Sequence, residues 1–241
     1  MIIEFNTHGN LKQKEVCKLW IDSTTTDIAY GGSKGSGKSY LMCSLIFGDA
    51  FLYPGTNYFI ARKSLTNIRK FTIPSIHEVF AHWNIRADQW KYNGQDNYYE
   101  LHNGSRVYLL DAKYLPSDPE YYRFGSMQMT RGAIEEAGEF EEAAKNNLAA
   151  SLGRWKNNEY KLTAKLLQTC NPSKNYLYRE YYIPNKAGTL PEWRKFVQAL
   201  PQDNKMIAKG YLENLERNLT PNERERLLQG NWEIDTDASA L

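Results

Sequence analysis

Residues 32–39 read Gly32-Ser33-Lys34-Gly35-Ser36-Gly37-Lys38-Ser39, a G-x-x-x-x-G-K-S stretch set between the apolar run TDIAYGG and the helix-like segment SGKSYLMCSLIFGDAF. A strand, a glycine loop and a helix in that order form the context in which this pattern grips phosphate. The glycines let successive backbone N–H groups curl around an anion, and the following helix directs its positive end at the same place. On this reading all eight residues contact ATP, with Lys38 reaching the β- and γ-phosphates and the Ser39 hydroxyl ligating Mg²⁺. The competing reading is a glycine-rich turn that matches by chance, and the flanking elements weigh against it.

The rest of the chain alternates strand and helix patterns. An amphipathic helix over residues 10–22 is expected to group Leu11, Val16, Leu19 and Trp20 on one side. TNYFIAR reads as a second strand, followed by a helix through SLTNIRKFTIPSIHEVFAHW with a kink at Pro74. Asn103-Gly104 between two alternating runs predicts a hairpin. TRGAI, KLTAKLLQT and RKFVQAL read as further strands, with a helix over EEAGEFEEAAKNNLAASL and a largely helical stretch over 203–230. Within that stretch Thr220, Pro221 and Glu223 make a capping box that opens a helix, and Gly230 stops it. The pattern predicts an α/β fold with a mostly parallel central sheet and an antiparallel hairpin extension, and the length favours one domain.

Global composition narrows the function classes only slightly. With 30 basic and 28 acidic residues the net charge is +2, so any nucleic-acid contact must come from a local patch. The three cysteines, Cys17, Cys43 and Cys170, have no C-x-x-C spacing, which argues for reduced thiols in a cytosolic setting. No stretch approaches the ~20 apolar residues of a membrane span, and no signal-peptide pattern is visible.

An ATPase needs an acidic pair at the end of a second strand, and Ala133-Ile134-Glu135-Glu136 supplies one. Glu135 takes the metal role, although Asp is usual there, and Glu136 takes the role of base toward the attacking water. Two glutamates opening a helix would also complement its dipole. Gln13 suits an adenine edge, yet Asn10-x-x-Gln13 is equally a capping box. Thr169, Cys170 and Asn171 end a later strand, where a polar residue can sense the γ-phosphate; a plain Asn-Pro turn is the other reading. Arg62, Arg69, Arg123 and Arg131 are candidates to complete a site in trans, and ARKSLTNIRK is either a phosphate-contacting patch or an exposed helix face.

Taken together, GGSKGSGKS, YFIARKSLTNIRKFTIPSIHEVF, AIEEAGEF, QTCNPSKNYLYREYY and ERERLLQGNWEID resemble the ATPase domain of the large terminase subunit of tailed bacteriophages. The resemblance implies a RecA-like P-loop fold of the additional-strand, catalytic-glutamate type, with an ATPase core over 1–190 and a small C-terminal helical lid or linker subdomain over 191–241. It further implies a ring of about five subunits on a portal protein, in the host cytoplasm, working with a small terminase subunit to drive double-stranded DNA into a procapsid by ATP hydrolysis, with no membrane involvement. In this frame Lys38 and Ser39 hold triphosphate and Mg²⁺, Glu135 replaces the metal aspartate, Glu136 is the catalytic glutamate, and Thr169 to Asn171 couple hydrolysis to motion. Many members carry Arg where this chain has Lys34, and lysine lacks the bidentate fork, so weight shifts to Arg123 as a trans-acting arginine. Complete large subunits carry a C-terminal nuclease domain that should begin about at NWEIDTDASAL, so the resemblance implies a separated ATPase domain without the nuclease. A helicase-like remodeller and a nucleotide-binding regulatory module with weak hydrolysis are the alternatives.

Overall fold

A computed structural model describes residues 6–208 and 210–234. Its centre is one eight-stranded sheet in the order β3-β4-β5-β2-β6-β7-β1-β8. The strands are β1 (Asp27–Gly32), β2 (Asn57–Arg62), β3 (Trp90–Asn93), β4 (Tyr98–Leu101), β5 (Arg106–Asp111), β6 (Arg131–Ile134), β7 (Leu166–Cys170) and β8 (Arg194–Ala199). All pairings are parallel except β3 with β4 and β4 with β5. The hairpin at Asn103-Gly104 joins β4 to β5 as expected, with Gly104 at φ 81°. β7 lies between the phosphate-loop strand β1 and the acidic strand β6, which is the additional-strand arrangement.

Every residue of β1, β6 and β7 is buried, because helices cover both faces of the parallel part. On one face α1 (Leu11–Ile21), α2 (Lys38–Leu52) and the helix Ile73–His82 enclose a core that includes Trp20, Phe47 and Phe80. On the other, the helix Glu142–Ala150 and the tyrosine-rich segment after β7 pack Leu148, Tyr176, Tyr181 and Trp232 together.

Several boundaries differ from those the sequence predicts. Leu11 is 73 % exposed and falls off the apolar face of α1, leaving Val16 and Trp20 to anchor it. The helix after β2 breaks ahead of Pro74, where Ile68–Thr72 forms a π-helical turn between the short Leu65–Asn67 turn and Ile73–His82. The helix after β6 starts at Glu142, because Glu136 adopts φ 55° and turns the chain through a 3₁₀ turn over Ala137–Glu139. The edge strand β3, short and only partly buried, has no counterpart in the sequence reading. The expected division at residue 190 precedes β8, yet β8 pairs with β1 along its whole length, so the segment outside the sheet starts at Pro201. Among the described residues that segment holds the 3₁₀ turn Pro201–Asp203 and two α-helices, Tyr211–Asn218 and Pro221–Leu227, the second capped by Thr220 and Glu223 as predicted. Residues 235–241 of the terminal stretch lie outside the described residues.

Candidate functional site

The loop between β1 and α2 ends in Gly37, whose φ of 79° sits in the left-handed region that glycine occupies without steric cost. This turn puts the first amide groups of α2 over the loop. Lys38, the first residue of the helix, is 8 % exposed and folds back onto the loop. Its ammonium donates to the Ser33 carbonyl, to Ser36 Oγ at 3.2 Å and to Asn171 Oδ1 at 3.3 Å. Burial lowers the Lys38 pKa, opposed by the negative charge of Glu136.

Asn171 is the bridge of the site. Its amide accepts from Lys38 with Oδ1 and donates from Nδ2 to Glu136 Oε2 at 3.0 Å. Thr169, two residues earlier on β7, accepts from the Glu136 backbone N–H at 3.3 Å. The segment Thr169-Cys170-Asn171 therefore touches both the loop lysine and the acidic residue. Burial raises the Glu136 pKa, with Lys38 as the main opposing influence. A carboxylate held in that way is a stronger base at neutral pH than a free glutamate. Cys170 packs against the loop strand, and burial pushes its thiol up to about 12, which leaves it an inert packing group.

Glu135 is 2 % exposed and faces the α2 side of the sheet. Its charge acts on Cys43, which lies one helical turn beyond Ser39 on the same face of α2. Ser39, the second residue of α2, is half-buried beside Lys38. Among the described residues no cluster of three or more His, Cys, Asp or Glu side chains could hold a metal ion alone.

A cleft of about 590 Å³ opens beside the loop, lined by Gln13, Gly35, Gly37, Tyr40, Asn204 and Tyr211, with His82 and Ile207 among its other walls. Gln13 Nε2 donates to the Gly37 carbonyl at 3.0 Å, and Asn10 Oδ1 accepts from the Gln13 backbone N–H at 3.0 Å. Only half of the predicted capping box forms, since the Gln13 side chain turns to the loop instead of back to Asn10. The C-terminal segment closes on the loop from the other side. Asn204 Nδ2 donates to the Gly35 carbonyl at 2.7 Å, and Lys34 N–H donates to the Leu227 carbonyl at 3.1 Å. None of these C-terminal contacts has a signature in the local sequence.

The arginine candidates separate. Arg131 is buried at the far end of β6, paired with Asp49 at 2.8 Å and stacked over Trp20, which removes it from any trans role. Arg62 is buried too and pairs with Glu135, so ARKSLTNIRK is not a uniformly exposed face. Arg69 is exposed. Arg123 is held within its own loop, donating to Asp118 Oδ2 at 2.7 Å and to the Lys113 carbonyl at 2.7 Å, with its guanidinium 4.5 Å from the Phe124 ring. Among the described residues it touches none of Lys38, Glu135 and Glu136.

No family model and no curated protein matches the chain. Solved structures do. The large terminase of a thermophilic bacteriophage in complex with ADP superposes with a TM-score of 0.74 at 20 % identity, over 92 % of this chain and 53 % of that one. The fold is that of the large terminase ATPase domain. The large terminase ATPase domain of Thermus phage P74-26 matches with a TM-score of 0.58 at 12 % identity, covering 90 % of this chain and 92 % of its own. The N-terminal domain of the DNA packaging ATPase of bacteriophage phi29 matches at 0.50, with 12 % identity, over 81 % and 97 %. The chain thus spans about half the length of the first of these large terminases (53 %) and nearly the whole of the two isolated ATPase domains. The terminase-type fold carries Lys38, Glu136 and Asn171 at the carboxyl ends of β1, β6 and β7, where open α/β sheets bind their ligands.

Proposed function

We propose that this chain is the ATP-hydrolysing motor domain of a viral DNA-packaging terminase, which translocates double-stranded DNA into a procapsid. The observation that carries the reading is the bridge of Asn171 between Lys38 and Glu136 in a fold shared with phage packaging ATPases. Gly32 to Ser39 cradle the triphosphate, Gln13 borders the base, and Lys38 leaves the Ser33 carbonyl to meet the β- and γ-phosphates. Ser39 and Glu135 would hold Mg²⁺, which when bound offsets phosphate charge. Glu136 accepts a proton from the attacking water, and Asn171 orients its carboxylate.

Loss of the γ-phosphate changes what Lys38 touches. Asn171 bonds Lys38 directly, so the change passes into β7 and the segment Thr169-Cys170-Asn171, which acts as the coupling element. Arg123 acts in trans on the site of a neighbouring subunit in a ring, most simply of five, assembled on a portal protein with a small terminase subunit. The work takes place in the host cytoplasm, on the procapsid.

Duplex DNA should stimulate ATP turnover, and specific activity should rise with protein concentration as subunits assemble. Full turnover by a dilute monomer without DNA would contradict the motor reading. Strand separation in an unwinding assay would favour a helicase-like remodeller, and nucleotide binding with negligible hydrolysis in the assembled state a regulatory module.

A further inference from the structure

β2 and β6 run parallel with Ala61 opposite Ile134, and the Glu135 N–H donates to the Ala61 carbonyl at 2.8 Å. The next pair outward is Arg62 and Glu135, whose side chains leave the same face of the sheet. Arg62 Nη1 donates to Glu135 Oε2 at 3.0 Å. The Thr72 hydroxyl donates to the same oxygen. Thr72 is the last residue of the π-helical turn Ile68–Thr72, a feature that concentrates at functional sites because it redirects a side chain out of the regular helical register. Arg62, Glu135 and Thr72 are 8 %, 2 % and 0 % exposed, and the Phe71 ring covers the guanidinium at 5.0 Å. Both of these bonds fall on Oε2 of Glu135.

We propose that Arg62 and Thr72 are positioning residues that adapt a glutamate to the metal role usually given to aspartate. Glutamate carries one more rotatable bond than aspartate, so its carboxylate is less well placed unless something holds it. The clamp takes Oε2 and fixes the side chain, leaving Oε1 as the acceptor for the water shell of a nucleotide-bound Mg²⁺. Partners of this kind orient a ligand and tune its basicity, and losing one weakens metal binding by about 10–100-fold. The inference rests on the reading of the site as a nucleotide site. It also assigns Arg62 a role within its own subunit, distinct from the trans role of Arg123.

The test measures the affinity of the full chain for a fluorescent, slowly hydrolysed ATP analogue, in EDTA and in Mg²⁺. Thr72→Val keeps the shape of the side chain and removes the donor; Arg62→Gln removes the charge. For Thr72→Val the tightening produced by Mg²⁺ should shrink by about tenfold or more. Affinity in EDTA should stay within about twofold of wild type, because the clamp touches no phosphate-loop residue. In a Glu135→Gln background Thr72→Val should bring no further loss, since its effect runs through Glu135. A folded Thr72→Val protein with wild-type Mg²⁺ tightening overturns the proposal, whatever Arg62→Gln does to folding. An equal loss in the Glu135→Gln background overturns it as well. Failure of the wild type to bind the analogue at all would sink the nucleotide reading itself, a different result from a binding protein with an indifferent clamp.

Discussion

At the residue scale the site depends on how Glu136 is charged and held. Its pKa lies above the ordinary value of 4.5, because burial outweighs the attraction of Lys38. The free enzyme therefore loses its base as pH falls through a range above 4.5, and the acid limb of kcat/KM should lie on the high side of an ordinary glutamate. The same shift affects stability with the opposite sign. The folded protein binds this proton more tightly than the unfolded chain, so the contribution of Glu136 to stability is present at acid pH and is lost as pH rises through the folded pKa. Glu136→Gln should raise the melting temperature at neutral pH and have little effect near pH 4. Asn171→Ala should cut kcat by about 10²-fold or more, with nucleotide affinity changed far less, because it disorients the base while Lys38 keeps its bonds to Ser33 and Ser36 within the loop. Comparable loss in kcat and affinity would make Asn171 a binding residue only. Packing is as local. A Cβ added at Gly31 would lie 2.5 Å from Cys170 Sγ and 3.3 Å from the Cys170 carbonyl. Gly31→Ala should therefore destabilise the fold by about 1–3 kcal/mol in a denaturant melt. Lys38, Glu136 and the glycine loop could be read from sequence because a short run of residues defines each. The Arg62–Glu135 pair was less visible, although FIAR and GAIE are both apolar strands ending in opposite charges. Only the parallel register of β2 and β6 brings those ends together.

At the element scale the main feature is the C-terminal helical segment that closes on the phosphate loop. Its second helix is held by Thr220, whose hydroxyl accepts from the Glu223 N–H while the Glu223 carboxylate accepts from the Thr220 N–H at 2.9 Å. Thr220→Ala should cost that helix about 1 kcal/mol. Because the carbonyl of Leu227 in the same helix accepts from the Lys34 N–H, the loss should appear as weaker nucleotide binding as well as a lower melting temperature. A melting shift with unchanged affinity would separate the segment from the site. The capping box itself was legible, since its residues are neighbours in sequence. What the segment docks against was not, because Asn204 to Gly35 and Leu227 to Lys34 are contacts across the chain. The π-helical turn was hidden for a related reason. Pro74 marks a break, but which residue of the preceding turn swings inward is decided by packing against β6.

At the scale of the whole molecule, a fold shared with packaging ATPases carries Arg123 in the short helix Tyr122–Gly125, near exposed Tyr114 and Tyr122. Arg123→Ala should abolish turnover in the assembled state, with the affinity of each subunit for nucleotide unchanged within about twofold; an arginine finger is worth roughly 10³–10⁵ in rate. Loss of ATP binding in that variant would refute the trans role. Strand alternation and the hairpin made the sheet legible, whereas the place of β8 beside β1 was not, because the two strands are far apart in sequence and meet only in space. The central claim is that Lys38, Glu136 and Asn171 form a site that hydrolyses ATP. Phosphate release by wild type and by Glu136→Gln, measured side by side at saturating ATP, Mg²⁺ and duplex DNA, tests it most directly. A fall of about 10²-fold or more in a variant that still binds ATP is the expected result, and equal rates for the two proteins would contradict the account.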